Sequence, residues 1–549
     1  MNRFLLHGSV ALLVLAGSVS CSSPEPPIEP EEPRLRRLTE AQYVNSIQDV
    51  FGSSVFVPID NEPDDRRRGF LSVGASTASV SPRGVERFEQ AAFTVAEQLM
   101  EPGLREQVLE CEPSLETSDS CIDDEVERLG RFLWRRPLTS EETESVAAIA
   151  RTAGQTLADP WDGFEFALAA LLQSPYFLYR VELGSGGATE EYQRSFDDWE
   201  LASRLSFLLW NSTPDHELLD AAEAGELSTA AGLDLQVERL LASPRARDGM
   251  KAWFGDLMRL ADLADLYKDS NVFLHMSDSL GDSASEETLR FFEHLAFDEE
   301  GDLRDLATSR TTYVNREMAA LYEVRAPERD GFGLLEFPSD SPRQGLLGQA
   351  SFLLQASHPV STSPTLRGKF VREVILCQTI SPPLAEVDTS IPPVTEEALT
   401  LRDRVAQHLN DSGCAGCHNP MDNIGLGLEN FDGIGRYRTH DNGGLIDSSG
   451  RVDEDEFTDP TELAALLRQH DDFAACLVKS FVRYANGVGE EEPQFDGLDW
   501  LAYEQGLNNN KLDSLVRTYV GSAFFKQAGP LEEMGVLSGD DDDDSGAER

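Results

Sequence analysis

Apolar residues recur along this chain at three- and four-residue spacing, the period of a helix that buries one face. Thr39 and Gln42 form a capping-box pair ahead of Tyr43, Ile47 and Phe51. Ser81-Pro82 reads as N-cap and first helical residue before Val85, Phe88, Ala92, Val95 and Leu99. Pro137-Leu138-Thr139 leads to Glu142 in the same manner. Phe164, Leu168, Leu171 and Leu172 form a stripe that stops at Ser174-Pro175, and Trp199, Ala202, Leu205 and Leu209 form one broken at Thr213-Pro214. Shorter stripes follow at Leu289, Phe292 and Leu295 and at Leu463, Leu466 and Leu467. Each reads as core packing. Alternating strand patterns are rare and short, so the pattern predicts a mainly α, multi-unit helical protein. The Pro-Pro pairs at 382–383 and 392–393 cannot continue a helix and favour extended chain, so a boundary is expected there.

The length, 549 residues, asks for two to four structural units. The net charge of −52 changes the list of partners. Nucleic-acid binders need a basic face and anionic membranes attract basic segments, so neither is expected as a direct partner. Lys251, Lys268, Lys369, Lys479, Lys511 and Lys526 are the only lysines. An acid-rich, lysine-poor surface stays hydrated where salt screens its self-repulsion. Asp540 to Asp544 is a run of like charge, expected to belong to a disordered acidic tail at 535–549.

The first twenty residues read as an export signal. Arg3 gives a basic start, 4–16 is mostly apolar, and Gly17 to Ser20 is a stretch of small residues. The apolar run is too short for a stable span, and no later run is long enough either. Cys21 follows directly, then a Pro/Glu tether over 21–33. This arrangement resembles a bacterial lipoprotein acylated at Cys21, with Ser18 where leucine is usual; ordinary cleavage with release is the alternative. The expected place is the cell envelope, held to the membrane only by that lipid. Of the seven cysteines, Cys111 and Cys121 enclose a short loop and are the best disulfide in an oxidising compartment. Such a link is worth roughly 2–3 kcal/mol by unfolded-chain entropy. Cys377 and Cys476 are left over, as a second disulfide or as two buried thiols.

The sharpest chemical signal is Cys414-Ala415-Gly416-Cys417-His418. One covalent haem c needs two thiols to add to its vinyl groups and an imidazole next in sequence as axial iron ligand. Cys414 and Cys417 are therefore the expected thioether anchors and His418 the expected iron ligand. A CxxC disulfide is one alternative. A zinc site of His408, Cys414, Cys417 and His418 is another, although the adjacency of Cys417 and His418 strains it. The sixth ligand is unreadable: Met421 is too close to His418, and His408, His440 and Met534 have no compelling geometry. Downstream, Gly425, Gly427, Gly433 and Gly435 allow close approach or positive φ. Phe431 and Tyr437 could wall a haem and Arg436 or Arg438 could pair with a propionate. The same stretch also reads as a glycine-rich loop packed under the helix, its arginines in solvent. No nucleophile–base pair or acid pair stands out, so hydrolytic chemistry is not expected.

These residues resemble exported bacterial proteins assembled from domains of unknown function 1587, 1595, 1592, 1588 and 1585. Leu35 to Thr39, Tyr43-Val44-Asn45 and Asp49 to Gly52 resemble the first, over 34–105. Phe132 to Thr139 with the Cys111/Cys121 loop resembles the second, over 106–185. Ser174 to Glu182 and Ala202 to Trp210 resemble the third, placed at 190–325. Arg343 to Leu347, Thr362-Ser363-Pro364, Arg367-Gly368, Leu376-Cys377 and the CxxCH stretch resemble the fourth, at 340–450. There Asp-Pro-x-Gly is usual, and this chain has Asp422-Asn423-Ile424-Gly425, which is expected to loosen a turn. Cys476 and Tyr484 to Gly487 resemble the fifth, at 457–528. The resemblance implies export and a cytochrome c-like C-terminal segment, and names no substrate. The expectation is a haem-bearing redox protein of the cell envelope, with an unidentified redox partner. A haem-dependent oxidoreductase and a non-enzymatic surface scaffold with a structural CxxC are the rivals.

Overall fold

The computed structural model describes residues 24–529 apart from positions 29, 31, 59–63, 78, 117–119, 186–193, 381–390, 411–413 and 490–494. The export segment, Cys21, Met534 and the aspartate run lie outside the described residues. The protein is mainly helical, and every sheet among the described residues has two strands. No helix there is long and apolar enough to cross a membrane.

The capping signals act as the sequence implies. Thr39 accepts from the Gln42 backbone N–H and Gln42 accepts from that of Thr39, opening the helix Glu40–Phe51. Ser81 caps Pro82–Met100, and the Thr139/Glu142 pair opens Ser140–Leu157. Such caps satisfy backbone donors that the first helical turn leaves without partners. Most stripe residues are buried, but Val85 is exposed: it lies in the first turn of its helix, before that helix enters the core.

Two large hydrophobic cores emerge. One gathers residues from Leu38 to Leu178, with Phe207 inserted from the next region. The other runs from Phe196 to Ala528 and also takes Ile28, Phe70 and Val73 from the N-terminal part. The boundary expected at the proline pairs is therefore not a boundary between cores. Phe431 and Ile434, which follow it, pack in the same core as Trp253 and Phe292, which precede it. A disulfide between Cys377 and Cys476, with an S–S distance of 2.08 Å, also spans it. Cys111 and Cys121 form the second disulfide, at 2.03 Å.

An antiparallel ribbon flanks the first core, joining the segments that enter and leave it. Arg34–Arg37 pairs with Tyr179–Glu182, placing Arg36 opposite Arg180. Alternation along the ribbon turns these side chains into the interior. Glu182, 1 % exposed, is contacted there by Arg36 at 3.2 Å, by Arg180 and by Arg204. Arg36 also donates to the Ala485 carbonyl at 2.8 Å, and Arg204 to Asn486 and the Phe525 carbonyl, each at 3.0 Å. Burial raises the pKa of an isolated carboxyl, yet the three guanidinium groups outweigh it and hold Glu182 down at about 2.

Candidate functional site

The CxxCH stretch opens the helix Ala415–Leu426. The backbone N–H groups of Cys417 and His418 both return to the Cys414 carbonyl, at 3.2 and 3.0 Å, so the motif closes one helical turn. Residues three apart share a helix face, which brings the two sulfurs to one side. Neither thiol is in a disulfide; Cys414 is half-buried and Cys417 exposed. The CxxC disulfide alternative is thus not the state observed. The zinc alternative needs the His408 side chain, which lies outside the described residues, and among those described no three metal-ligating groups converge.

His418 has a defined orientation. Its Nδ1 lies 2.9 Å from Oδ2 of Asp422, one turn further along the helix. Asp422 is fully buried, and Thr365 donates to its other oxygen at 2.7 Å. A carboxylate that engages one ring nitrogen fixes the imidazole plane. Asp422 and Thr365 were not singled out from the sequence as site residues. The four-residue interval between His418 and Asp422, one helical turn, is the signal that could have found the pair.

Two glycines explain how the motif helix is held. It crosses Pro364–Phe370 so closely that a Cβ on Gly368 would overlap the Met421 carbonyl, and one on Gly425 the Pro364 carbonyl. The Asp422-Asn423-Ile424-Gly425 stretch is helical, not the loosened turn expected, and Gly425 serves close approach. Arg372 donates to the Pro420 carbonyl at 3.1 Å. Arg367, fully buried, donates to the carbonyls of Leu428, Phe431 and Asp432 at 2.7, 2.9 and 2.7 Å. Burial draws its guanidinium down to about 10.

The loop after the helix is packed beneath it. Phe431 is completely buried in the main core and is not a cofactor wall; Tyr437, partly exposed, meets it edge-on at 5.7 Å. Gly435 has φ +94°, a conformation that only glycine takes without strain. Both arginines are ion-paired, Arg436 on the solvent-exposed surface and Arg438 half-buried. Arg436 bonds Glu323 at 2.7 Å, and Arg438 bonds Glu429 at 2.9 Å and Asp441 at 3.0 Å. Among the sixth-ligand residues considered, Met421 is buried beside the helix crossing. His440 lies on an exposed two-residue strand, where its Nδ1 meets Thr439 Oγ1 at 3.0 Å.

Among the described residues, the helix Leu401–Asn410 and the motif helix share an apolar cluster of Leu401, Val405 and Leu426, with Ile391 packed against it. The donor set of two free thiols and one oriented imidazole fits a covalently attached haem.

Five family models match the chain. They are described as Protein of unknown function (DUF1587) over residues 36–101, (DUF1595) over 121–182, (DUF1592) over 196–324, (DUF1588), named PSCyt3, over 343–441, and (DUF1585) over 453–525. No curated protein matches the chain, and no solved structure does.

Proposed function

We propose, for a chain that belongs to the proteins built from domains of unknown function 1587, 1595, 1592, 1588 and 1585, a redox role in the cell envelope carried by one haem c. Cys414 and Cys417 would hold the group by thioether bonds, and His418 would bind its iron. The observation that carries this reading is the pair of unbonded thiols and the Asp422-held imidazole on a single helical turn. The name PSCyt3, borne by the model over 343–441, points the same way. When bound, the haem supplies one-electron chemistry. The chain's own residues keep His418 in one orientation through Asp422 and Thr365. Arg367 and Arg372 hold the motif helix against the body. Export through the N-terminal segment and acylation of Cys21 complete the proposal and place the protein on the envelope, where its redox partner is expected.

The test is a pyridine haemochrome spectrum of protein purified from a host competent in export and c-type maturation. A covalent haem spectrum, lost or altered in Cys414→Ala, is the expected result. A colourless product with both thiols still free would overturn the assignment.

A further inference from the structure

Aromatic side chains gather at one open cleft of this protein. Trp134 and Tyr176 touch, with ring centroids 5.1 Å apart and planes tilted by 38°, and Tyr176 is 39 % exposed. With Trp199 they line a cleft of about 220 Å³ in which Arg136, Asp197 and Glu200 supply polar positions. Trp134 is packed against the first core and Trp199 against the second, so the cleft is shared between them. Its walls are held in place from behind. Arg135, between Trp134 and Arg136, has φ +59°, a conformation unfavourable for a residue with a Cβ. Its buried guanidinium donates to the carbonyls of Leu133 at 3.1 Å, of Tyr179 at 2.7 Å and of Tyr176. These bonds tie the segment bearing Trp134 to the one bearing Tyr176. Trp134 Nε1 donates to the Leu171 carbonyl at 3.2 Å, which fixes the indole. Across the cleft, Glu200 accepts from the backbone N–H groups of Leu183, Gly184 and Asp197 at 2.8, 2.9 and 2.8 Å, which fixes the helix start that bears Trp199. A strained residue locked by surrounding bonds marks a segment whose geometry is specified.

The chemistry of the cleft narrows its ligand. One face of Tyr176 already holds a cation, the Arg136 guanidinium at 4.3 Å from the ring centroid, so a second cation is disfavoured there. Asp197, Glu200 and a net charge of −52 disfavour anions. A flat ring cannot slip between Trp134 and Tyr176, which are in contact with each other. What remains is a neutral ligand with an apolar face and polar edges. A pyranose with equatorial hydroxyls has that form: its axial C–H bonds meet the negative face of an aromatic ring, and its hydroxyls point outward to carboxylates and guanidinium. Pockets that enclose a whole ligand run to roughly 300–1,000 Å³, so this smaller, open cleft suits one ring of a longer chain. We propose that it binds a neutral glycan of equatorially substituted, β-linked pyranoses, one sugar ring lying against the wall of Trp134, Tyr176 and Trp199. The site is independent of any haem.

The test titrates cellohexaose, and separately the β-linked hexamer of N-acetylglucosamine, into the full mature chain while tryptophan fluorescence and heat are followed. Saturable binding of at least one of the two is expected. Tyr176→Ala removes an exposed ring but keeps the backbone carbonyl that serves Arg135, and should weaken that binding about tenfold. Trp199→Ala should do the same, with Trp199→Phe keeping part of the affinity. No binding of either probe at up to about 10 mM would overturn the proposal, and so would binding that Tyr176→Ala leaves intact. Menadione, a planar aromatic probe, taken up at Tyr176 in place of both glycans would equally overturn it. Should the variants not fold, crystals of the unaltered protein soaked in the hexasaccharides decide: a sugar ring against Trp134 and Tyr176 supports the site, and a cleft holding only water refutes it.

Discussion

Glu287 is the most sharply testable charge in the molecule. It is completely buried on the helix Leu280–Glu293 and accepts hydrogen bonds from Thr312 at 2.8 Å and Tyr322 at 2.6 Å. Desolvation lifts its pKa from 4.5 to about 7; the bonds from Tyr322 and Thr312, and Arg343 near by, oppose this without overcoming it. Because the folded value lies above the unfolded one, the folded state binds the proton more tightly. The stability this contributes is complete below about pH 4.5 and is lost as pH rises through about 7. A displacement of that size corresponds to about 3 kcal/mol. Glu287→Gln keeps the volume and hydrogen-bonding reach of the protonated acid but cannot ionise. Urea unfolding of both proteins between pH 5 and 9 is expected to give similar stabilities at pH 5. The variant should gain by up to about 3 kcal/mol toward pH 9. Comparing the two proteins cancels the many other carboxylates, including Glu182, whose depressed value has the opposite pH trend. Parallel stability curves across that range would refute the reasoning.

Further expectations follow from the same geometry. Cys377→Ser, measured in denaturant against a reduced-and-blocked control, is expected to cost about 4–5 kcal/mol because its bridge closes 99 residues. Cys111→Ser, across a separation of 10, should cost only about 2–3 kcal/mol, and equal losses would contradict the chain-entropy account. Gly368→Ala or Gly425→Ala should lower the unfolding midpoint, since either Cβ meets backbone that cannot move aside. Gly416→Ala, where the space is open, serves as the neutral comparison. With haem attached, Asp422→Asn is expected to raise the reduction potential, because an anionic partner makes the imidazole a stronger donor. Potentiometric titration reads this, and an unchanged potential would show that Asp422 only shapes the helix.

Local signals in the sequence were sufficient for local structure. The capping residues Thr39, Ser81 and Thr139, and the stripes through Phe164 and Ala202, specify helices because caps and periodicity act within a few residues. The CxxCH pentapeptide was legible for the same reason: its thiols and imidazole are set by one turn of helix. Its neighbours were harder. Phe431 and Tyr437 suggested a cofactor wall, yet whether an aromatic side chain faces a ligand or the core depends on contacts from Phe273, Ala350 and Leu353 near its glycine-rich loop, far away in sequence.

What the sequence by itself determined is the helical class, the helix starts and the one turn that brings two thiols and a histidine together. Only the tertiary structure decided that the proline pairs do not divide the cores, that Cys377 reaches Cys476, and that three arginines converge on Glu182. The physical reason is that caps and periods are short-range properties of the backbone, whereas charge balance, close helix crossings and disulfide partners depend on segments brought together across hundreds of residues by burial.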